Sequence, residues 1–346
     1  MLVTLVATLG ALIPTLFYVL FVWWLDRYEK EPVWLLAFAF LWGAIPAAIL
    51  SALFEVLFDL PLGLLGEESL AANLISVSVG APLVEESFKG IALLGLLLLF
   101  RHEFDDLLDG IVFGAMIGFG FALTENALAY FLPILSEEGM VAGLINILMR
   151  AFVFGFNHAF WTGITGAAVG YARLSRSQVR RLLVPLGGWG VAVSLHGIHN
   201  AGATLAEQTG CLSLLISLVV DWGGLLLLLA VALLVLRKEK LWIERGLIEE
   251  VNRGTLSRQE FDLLRSAGQR FRVRWQARGR GGREAARAVG RYFQCATELS
   301  FKKQRLRSFG DESGNLAEVQ RLQQELATCR AEAWPWLWAP SQNQQG

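Results

Sequence analysis

The first 236 residues of this 346-residue sequence are short of positive charge, holding nine of its 30 lysines and arginines. They are equally short of the signatures that soluble hydrolases carry. No GxSxG run is present, which removes the strained serine elbow. His102–Glu103 is followed at the second-histidine position by Asp106, so no HExxH zinc helix forms either. Cys211, Cys295 and Cys329 make no CxxC pair; no disulfide framework is expected, only isolated thiols. The N-terminus lacks a basic n-region, and its apolar stretch runs into Trp23 and Trp24 without a small-residue cleavage site. It reads as a retained first span, not as a signal peptide.

Apolar length is what the sequence has in plenty. Hydrophobic residues make up 54% of it, and its mean hydropathy is +0.48. Seven segments approach the ~20 apolar residues that a membrane span needs: 2–25, 33–58, 71–100, 110–132, 144–172, 183–206 and 212–236. Lipid cannot hydrogen-bond a backbone, so these segments should be helices. The expected fold is therefore all-α, a polytopic membrane bundle of about seven helices (1–236) followed by a helical, soluble tail (237–346). The loops at 26–32, 101–109 and 173–182 carry Lys or Arg, and so does the start of the tail. The loops at 59–70, 133–143 and 207–211 carry none. Positive loops stay inside, which predicts an external N-terminus and a cytosolic tail.

The tail carries 21 of the 30 basic residues and 13 of the 31 acids, a net of +8. SRQE at 257–260 and NLAE at 315–318 both fit a capping box. Between them, RFRVRWQARGRGGR (270–283) reads as a solvated linker, with attraction to anionic membrane lipids as the main rival. No nucleic-acid partner is expected, since no reader motif accompanies the charge. The closing WPWLW (334–338) reads as an interfacial aromatic anchor. GAMIG (114–118) and GAAVG (166–170) are small-xxx-small patterns, which serve helix packing.

Ionisable residues inside spans are costly and mark function or a buried pair. Here they include Glu85, Glu86 and Lys89 in the third span, Glu125 in the fourth, His158 in the fifth, His196 and His199 in the sixth, and Asp221 in the seventh. Counted from each cytosolic edge, Glu85, Glu125, His158 and His196 all lie about 20–23 Å deep at 1.5 Å per residue. Four helices thus bring two acids and two imidazoles to one layer. Lys89 sits at i+4 and i+3 from Glu85 and Glu86, so it can neutralise one of them. Asp221 reads as structural, His102 as a solvated loop residue, and Arg150 as snorkelling to the outer interface. Pro82 removes a donor and frees the Ser78 carbonyl, which predicts a kink beside the acids. His196, His199 and Asn200 share one helical face. Water held by two carboxylates and two imidazoles can be deprotonated and aimed at an amide carbonyl. One glutamate would act as base while the other carries a proton, with Asn200 placed to stabilise an oxyanion. A proton- or ion-coupled transporter would use similar groups, though no internal repeat is visible. A non-enzymatic membrane sensor stays open too.

DRYEKEP (26–32), APLVEESFK (81–89), FALTEN (121–126), FGFNHAFWTG (154–163) and HGIHN (196–200) occur in this order. With this ordered set the chain resembles the PrsW family of intramembrane proteases, relatives of the CAAX prenyl proteases, over residues 14–236. CATELSFKKQRLR (295–307) also resembles the segment C-terminal to the membrane part in that family. The resemblance implies catalytic roles for Glu85, Glu86, Glu125, His158, His196 and Asn200. It departs from the family at His199, where an aromatic residue is expected. It further implies cleavage of a single-span membrane protein, an anti-sigma factor in the founding case, in a bacterial plasma membrane. A Zn2+ site made by His158, His196 and Glu125 would suit the family's metalloprotease grouping, with Glu85 and Glu86 as base and acid. A metal-free glutamate mechanism is the other reading.

Overall fold

The computed structural model describes residues 1–26, 28, 30–62, 69–101, 103–104, 106–311 and 314–338. His102, Arg27 and Glu29 of the charged loops and residues 63–68 lie outside the described residues. The described residues are helical throughout, with no strand among them. They divide into two compact units, Met1–Asp26 with Glu31–Leu233, and Arg27–Lys30 with Leu234–Gly346.

The first unit is a helical bundle. It comprises α1 (Leu2–Leu25), α2 (Val33–Trp42), α3 (Ala48–Leu62), α4 (Leu70–Ile75), α5 (Ala81–Leu99), α6 (Leu107–Thr124), α7 (Leu132–Glu137), α8 (Met140–Ile147), α9 (Asn157–Arg173), α10 (Gln178–Thr204) and the start of α11 (Leu212–Asn252). Six helical stretches among the described residues are long and apolar enough to cross a membrane. The stretch from α4 to α5 is of comparable length, but it carries Glu85, Glu86 and Lys89 in its middle. Large apolar side chains such as Phe17, Leu57, Val219 and Leu227 point outward and are exposed, as a lipid solvent permits. Among the described residues, four π-helical segments interrupt the bundle, at Gly43–Ala47, Ser76–Gly80, Glu125–Phe131 and Leu148–Val153. Such insertions cluster at functional sites because the extra residue re-aims side chains and loosens carbonyls.

Helix α6 is the centre, since 78% of the apolar window of Leu107–Glu137 is buried. It meets α9 along a seam of backbone. A Cβ on Gly110 would fall 2.0 Å from the Gly166 carbonyl oxygen, one on Gly114 2.5 Å from that of Thr162, and one on Gly118 2.4 Å from that of His158. On the other helix, a Cβ on Gly170 would lie 2.2 Å from the carbonyl oxygen of Asp106. In all four contacts the two residue numbers sum to 276, the mark of one antiparallel register. Both small-xxx-small patterns are spent here, and the seam fixes His158 beside Gly118.

The second unit packs the end of α11 with α12 (Arg258–Leu264), α13 (Ala267–Phe309) and α14 (Asn315–Leu337) around Leu247, Leu264, Tyr292, Leu299 and Leu326. SRQE forms its capping box, with Glu260 also accepting from Tyr292 and Arg330. Although burial works against it, the bonds from Arg330 and Ser257 hold Glu260 below the ordinary carboxylate range. NLAE does not cap: Asn315 is the first helical residue, Gly314 precedes it in the left-handed region, and the Asn315 amide turns back to Gly310. The glycine-rich basic stretch is no linker but part of α13, broken only at Gly281 and Gly282. Trp336 and Leu337 of the closing aromatic run pack into the tail's own core, while Trp334 stays half-exposed. Cys295 and Cys329, expected as isolated thiols, are buried with their sulfurs 2.9 Å apart.

Candidate active site

The side chains that the depth argument grouped do meet inside the bundle. Lys89 is the hub, with no exposed surface. Its Nζ donates to Glu85 Oε2 at 2.9 Å and Glu86 Oε1 at 2.8 Å, and lies 3.0 Å from His158 Nδ1. The Phe121 ring closes over it at 3.7 Å. An ammonium group can only donate, so His158 Nδ1 accepts and the ring proton sits on Nε2. That Nε2–H points at Glu125 Oε2, 2.8 Å away. Glu125 is therefore on the far side of the His158 ring from Lys89, where Arg150 also binds it at 2.8 Å.

Helix α10 supplies the second imidazole. His196 Nδ1 lies 3.3 Å from Glu86 Oε1, and its ring stacks on Trp161 with centroids 3.9 Å apart. Its Nε2 has no hydrogen-bond partner among the described residues. Thr162 Oγ1 donates to the other oxygen of Glu86 at 3.1 Å. Glu86 is thus held by Lys89, His196 and Thr162, whereas Glu85 is bonded through one oxygen only. The two adjacent acids are not equivalent.

Asn200 is on the same helix but engages a different partner. Its Nδ2 donates to the Val77 carbonyl at 2.7 Å, within the π segment that precedes Pro82, and Gly197 lies against the neighbouring Ser78 carbonyl. The irregularity expected at Pro82 is thus a π turn, and the HxxxN face of α10 docks onto its loosened carbonyls. His199 is turned away from the four-residue group: it pairs with Asp221 at 2.7 Å, and Asn157 bridges both.

Sequence reasoning missed four contributors. Arg150 does not snorkel, because its Nε bonds Asn126, its Nη2 bonds Glu125, and it stacks on Tyr130. An arginine flanked by apolar residues was the available signal, since such a charge must find a partner. Asn157, Trp161 and Thr162 lie in the FGFNHAFWTG run, but nothing in their spacing separates a site residue from a packing one.

Whether a metal fits can be judged from the donors. Glu85, Glu86, His158 and His196 each offer one ligand atom, and these atoms lie within 4.8 Å of one another. Two carboxylates and two imidazoles suit Zn2+, whose ligands stand at about 2.0–2.2 Å. The set fits in type and spacing. Glu125 is outside it but is placed as the carboxylate that orients a ligating histidine. The ammonium of Lys89 touches three of the four donors, so an ion bound there would compete with it for the same atoms.

Paired carboxylates and imidazoles sealed among membrane-crossing helices, with one imidazole nitrogen left open, make up the equipment of a hydrolase that works inside the bilayer. A family model described as PrsW family intramembrane metalloprotease matches residues 31–236. Curated relatives agree. The chain is 26% identical to Protease PrsW of Geobacillus kaustophilus over 204 residues, covering 58% of this chain and 80% of that protein. It is 27% identical to Protease PrsW of Clostridioides difficile over 215 residues, 61% of this chain and 85% of the relative. With Protease PrsW of Bacillus subtilis it shares 29% over 157 residues, 45% and 63% of the two chains. No solved structure matches. The chain belongs to the PrsW family of intramembrane metalloproteases, and it is a peptide hydrolase of the membrane.

Proposed function

We propose that this enzyme cuts a single-span protein substrate within the bilayer, using water activated at Glu85. The supporting observation is the asymmetry of the two acids. Glu86 is engaged by three donors and serves to hold the cup together, while Glu85 keeps one oxygen free to take the proton from water. His158, oriented by Glu125, and His196, held through Nδ1 to Glu86, line the other side. The Asn200 amide gives one hydrogen to Val77 and has a second for a developing oxyanion, at the cost of a modest movement. Zn2+ would be held by His158, His196 and an oxygen of the Glu85/Glu86 pair, and when bound would polarise the scissile carbonyl. By analogy with the founding case of the family, an anti-sigma factor is the kind of substrate to try first.

The test is cleavage of a tagged single-span protein in reconstituted vesicles. A zinc chelator should abolish cutting, and added Zn2+ should restore it. Full activity in chelator would remove the metal from the mechanism while leaving the glutamate chemistry standing.

The loop charges further support an external N-terminus and a cytosolic tail. In a cysteine-free background, an impermeant thiol reagent applied outside should label Glu137→Cys but not Arg176→Cys. The opposite pattern would invert the topology.

A further inference from the structure

The arginine-rich segment of the tail, unused by the chemistry above, folds into a site of its own. Gly281 and Gly282 leave helical geometry, Gly282 at φ +68°, and reverse the chain inside α13. The two arms then run antiparallel. Arg270 Nη1 donates to Thr297 Oγ1 at 2.8 Å, and the Arg274 guanidinium lies 3.3 Å from where a Gly290 Cβ would stand. The small residues Ala277, Ala285 and Ala288 are buried, which lets the arms close. This reversal gathers Arg274 and Arg278 from one arm with Arg283 and Arg287 from the other around a cavity of about 360 Å³. None of these four guanidinium groups makes an ion pair among the described residues. Arg270, Arg291 and Arg330 nearby in sequence or fold do have partners.

Four like charges around one cavity repel one another even where water screens them, and a bound anion would relieve that repulsion. The anion's chemistry is narrowed by a second feature. Phe271 and Trp275 are 71% and 67% exposed, more than any other described aromatic residue of the unit. On the 100°-per-residue wheel, 271, 274, 275 and 278 fall within about 100° of arc, so the aromatics flank the arginines. A soluble phosphate has no use for two exposed rings. A phospholipid does, because its headgroup needs cations and its interfacial region accepts Trp and Phe.

The geometry points to a binding site for the headgroup of an anionic phospholipid, formed by Arg274, Arg278, Arg283 and Arg287 and bordered by Phe271 and Trp275. The chain is tethered in a membrane by its first unit, so the ligand is always at hand. Guanidinium groups bind phosphate bidentately, which suits four of them to one phosphodiester and its neighbours.

The full-length protein in a neutral detergent would be titrated with dioleoyl-phosphatidylglycerol, dioleoyl-phosphatidylcholine or inorganic phosphate, and retained lipid counted by native mass spectrometry. Wild type should retain at least one phosphatidylglycerol that the Arg274→Gln/Arg278→Gln/Arg287→Gln variant does not. Each arginine near a surface is worth about five-fold in affinity, so the triple variant should bind on the order of 100-fold more weakly. Phosphatidylcholine should not substitute. Phe271→Ser/Trp275→Ser should weaken lipid binding while leaving any phosphate binding as it was. Circular dichroism checks the fold, and should the triple variant misfold, Arg278→Gln alone should still cost about five-fold. Equal retention of phosphatidylglycerol by wild type and the arginine variants would overturn the site. Inorganic phosphate displacing the lipid at equal concentration, with the aromatic variant unaffected, would overturn the lipid and leave a soluble-anion site.

Discussion

The Glu85→Gln/Glu86→Gln double variant should cut nothing. Gln keeps the shape of Glu but cannot accept the water proton, and loss of a general base costs roughly 100- to 10,000-fold in rate. The single variants separate chemistry from folding. Glu85→Gln leaves Lys89 paired with Glu86 at 2.8 Å, so the buried cation stays neutralised and the fold should hold. Cleavage should still fall to background, because Glu85 holds the open oxygen. Glu86→Gln should also lose activity, but by loosening His196 and Thr162, the two other groups that Glu86 engages. Cleavage of the tagged substrate per folded molecule is the measurement, with folding followed by gel filtration. Wild-type cutting by the double variant would mean that these acids are not the catalytic groups.

Lys89→Met should be the most destabilising single change in the bundle. It leaves two adjacent carboxylates without their counter-charge, both almost fully buried. Breaking a buried pair by removing one partner costs about 3–5 kcal/mol, far more than the pair itself contributes. His158 suffers as well, since Lys89 is the group that fixes which ring nitrogen carries the proton. Both the thermal midpoint in detergent and the rate per folded molecule should therefore drop. The result also bears on the metal. If zinc-loaded Lys89→Met protein keeps the wild-type midpoint, a metal ion is neutralising the carboxylates in the working enzyme, and the lysine is its stand-in. A large drop whether or not zinc is present would make the ammonium the resident cation.

Much of this site was legible before any coordinates, because membrane depth is a ruler. A charge in lipid must be satisfied, and a helix climbs a fixed distance per residue, so residue counts placed Glu85, Glu125, His158 and His196 in one layer. The i+3 and i+4 spacing of Lys89 announced its ion pairs, and GAMIG and GAAVG announced a close helix contact. Two kinds of feature stayed hidden. A π turn adds one residue to a helix without a mark of its own, so Pro82 announced an irregularity before the acids but not its form, and nothing announced the one that begins at Glu125. Pairings between distant positions left no mark either: Arg150 with Glu125, His199 with Asp221, Cys295 with Cys329. In the tail the glycine pair was visible but misread, since GG between basic residues looks like a flexible joint. Here it is the tight reversal of a packed hairpin.

The glycine seam between α6 and α9 also locks those two helices against sliding past each other. Two backbones in direct contact have no side chains to act as bearings. A slip by a single residue would drive Phe113 and Ile117, or Ala115 and Phe119, into the facing main chain. His158 is carried on that fixed plate. Glu85, Glu86 and Lys89 ride on α5, and His196 on α10, helices joined to each other through the adaptable carbonyls of a π turn. The seam therefore acts as a fixed reference inside the bundle, and it keeps the His158 imidazole at one address beside Gly118.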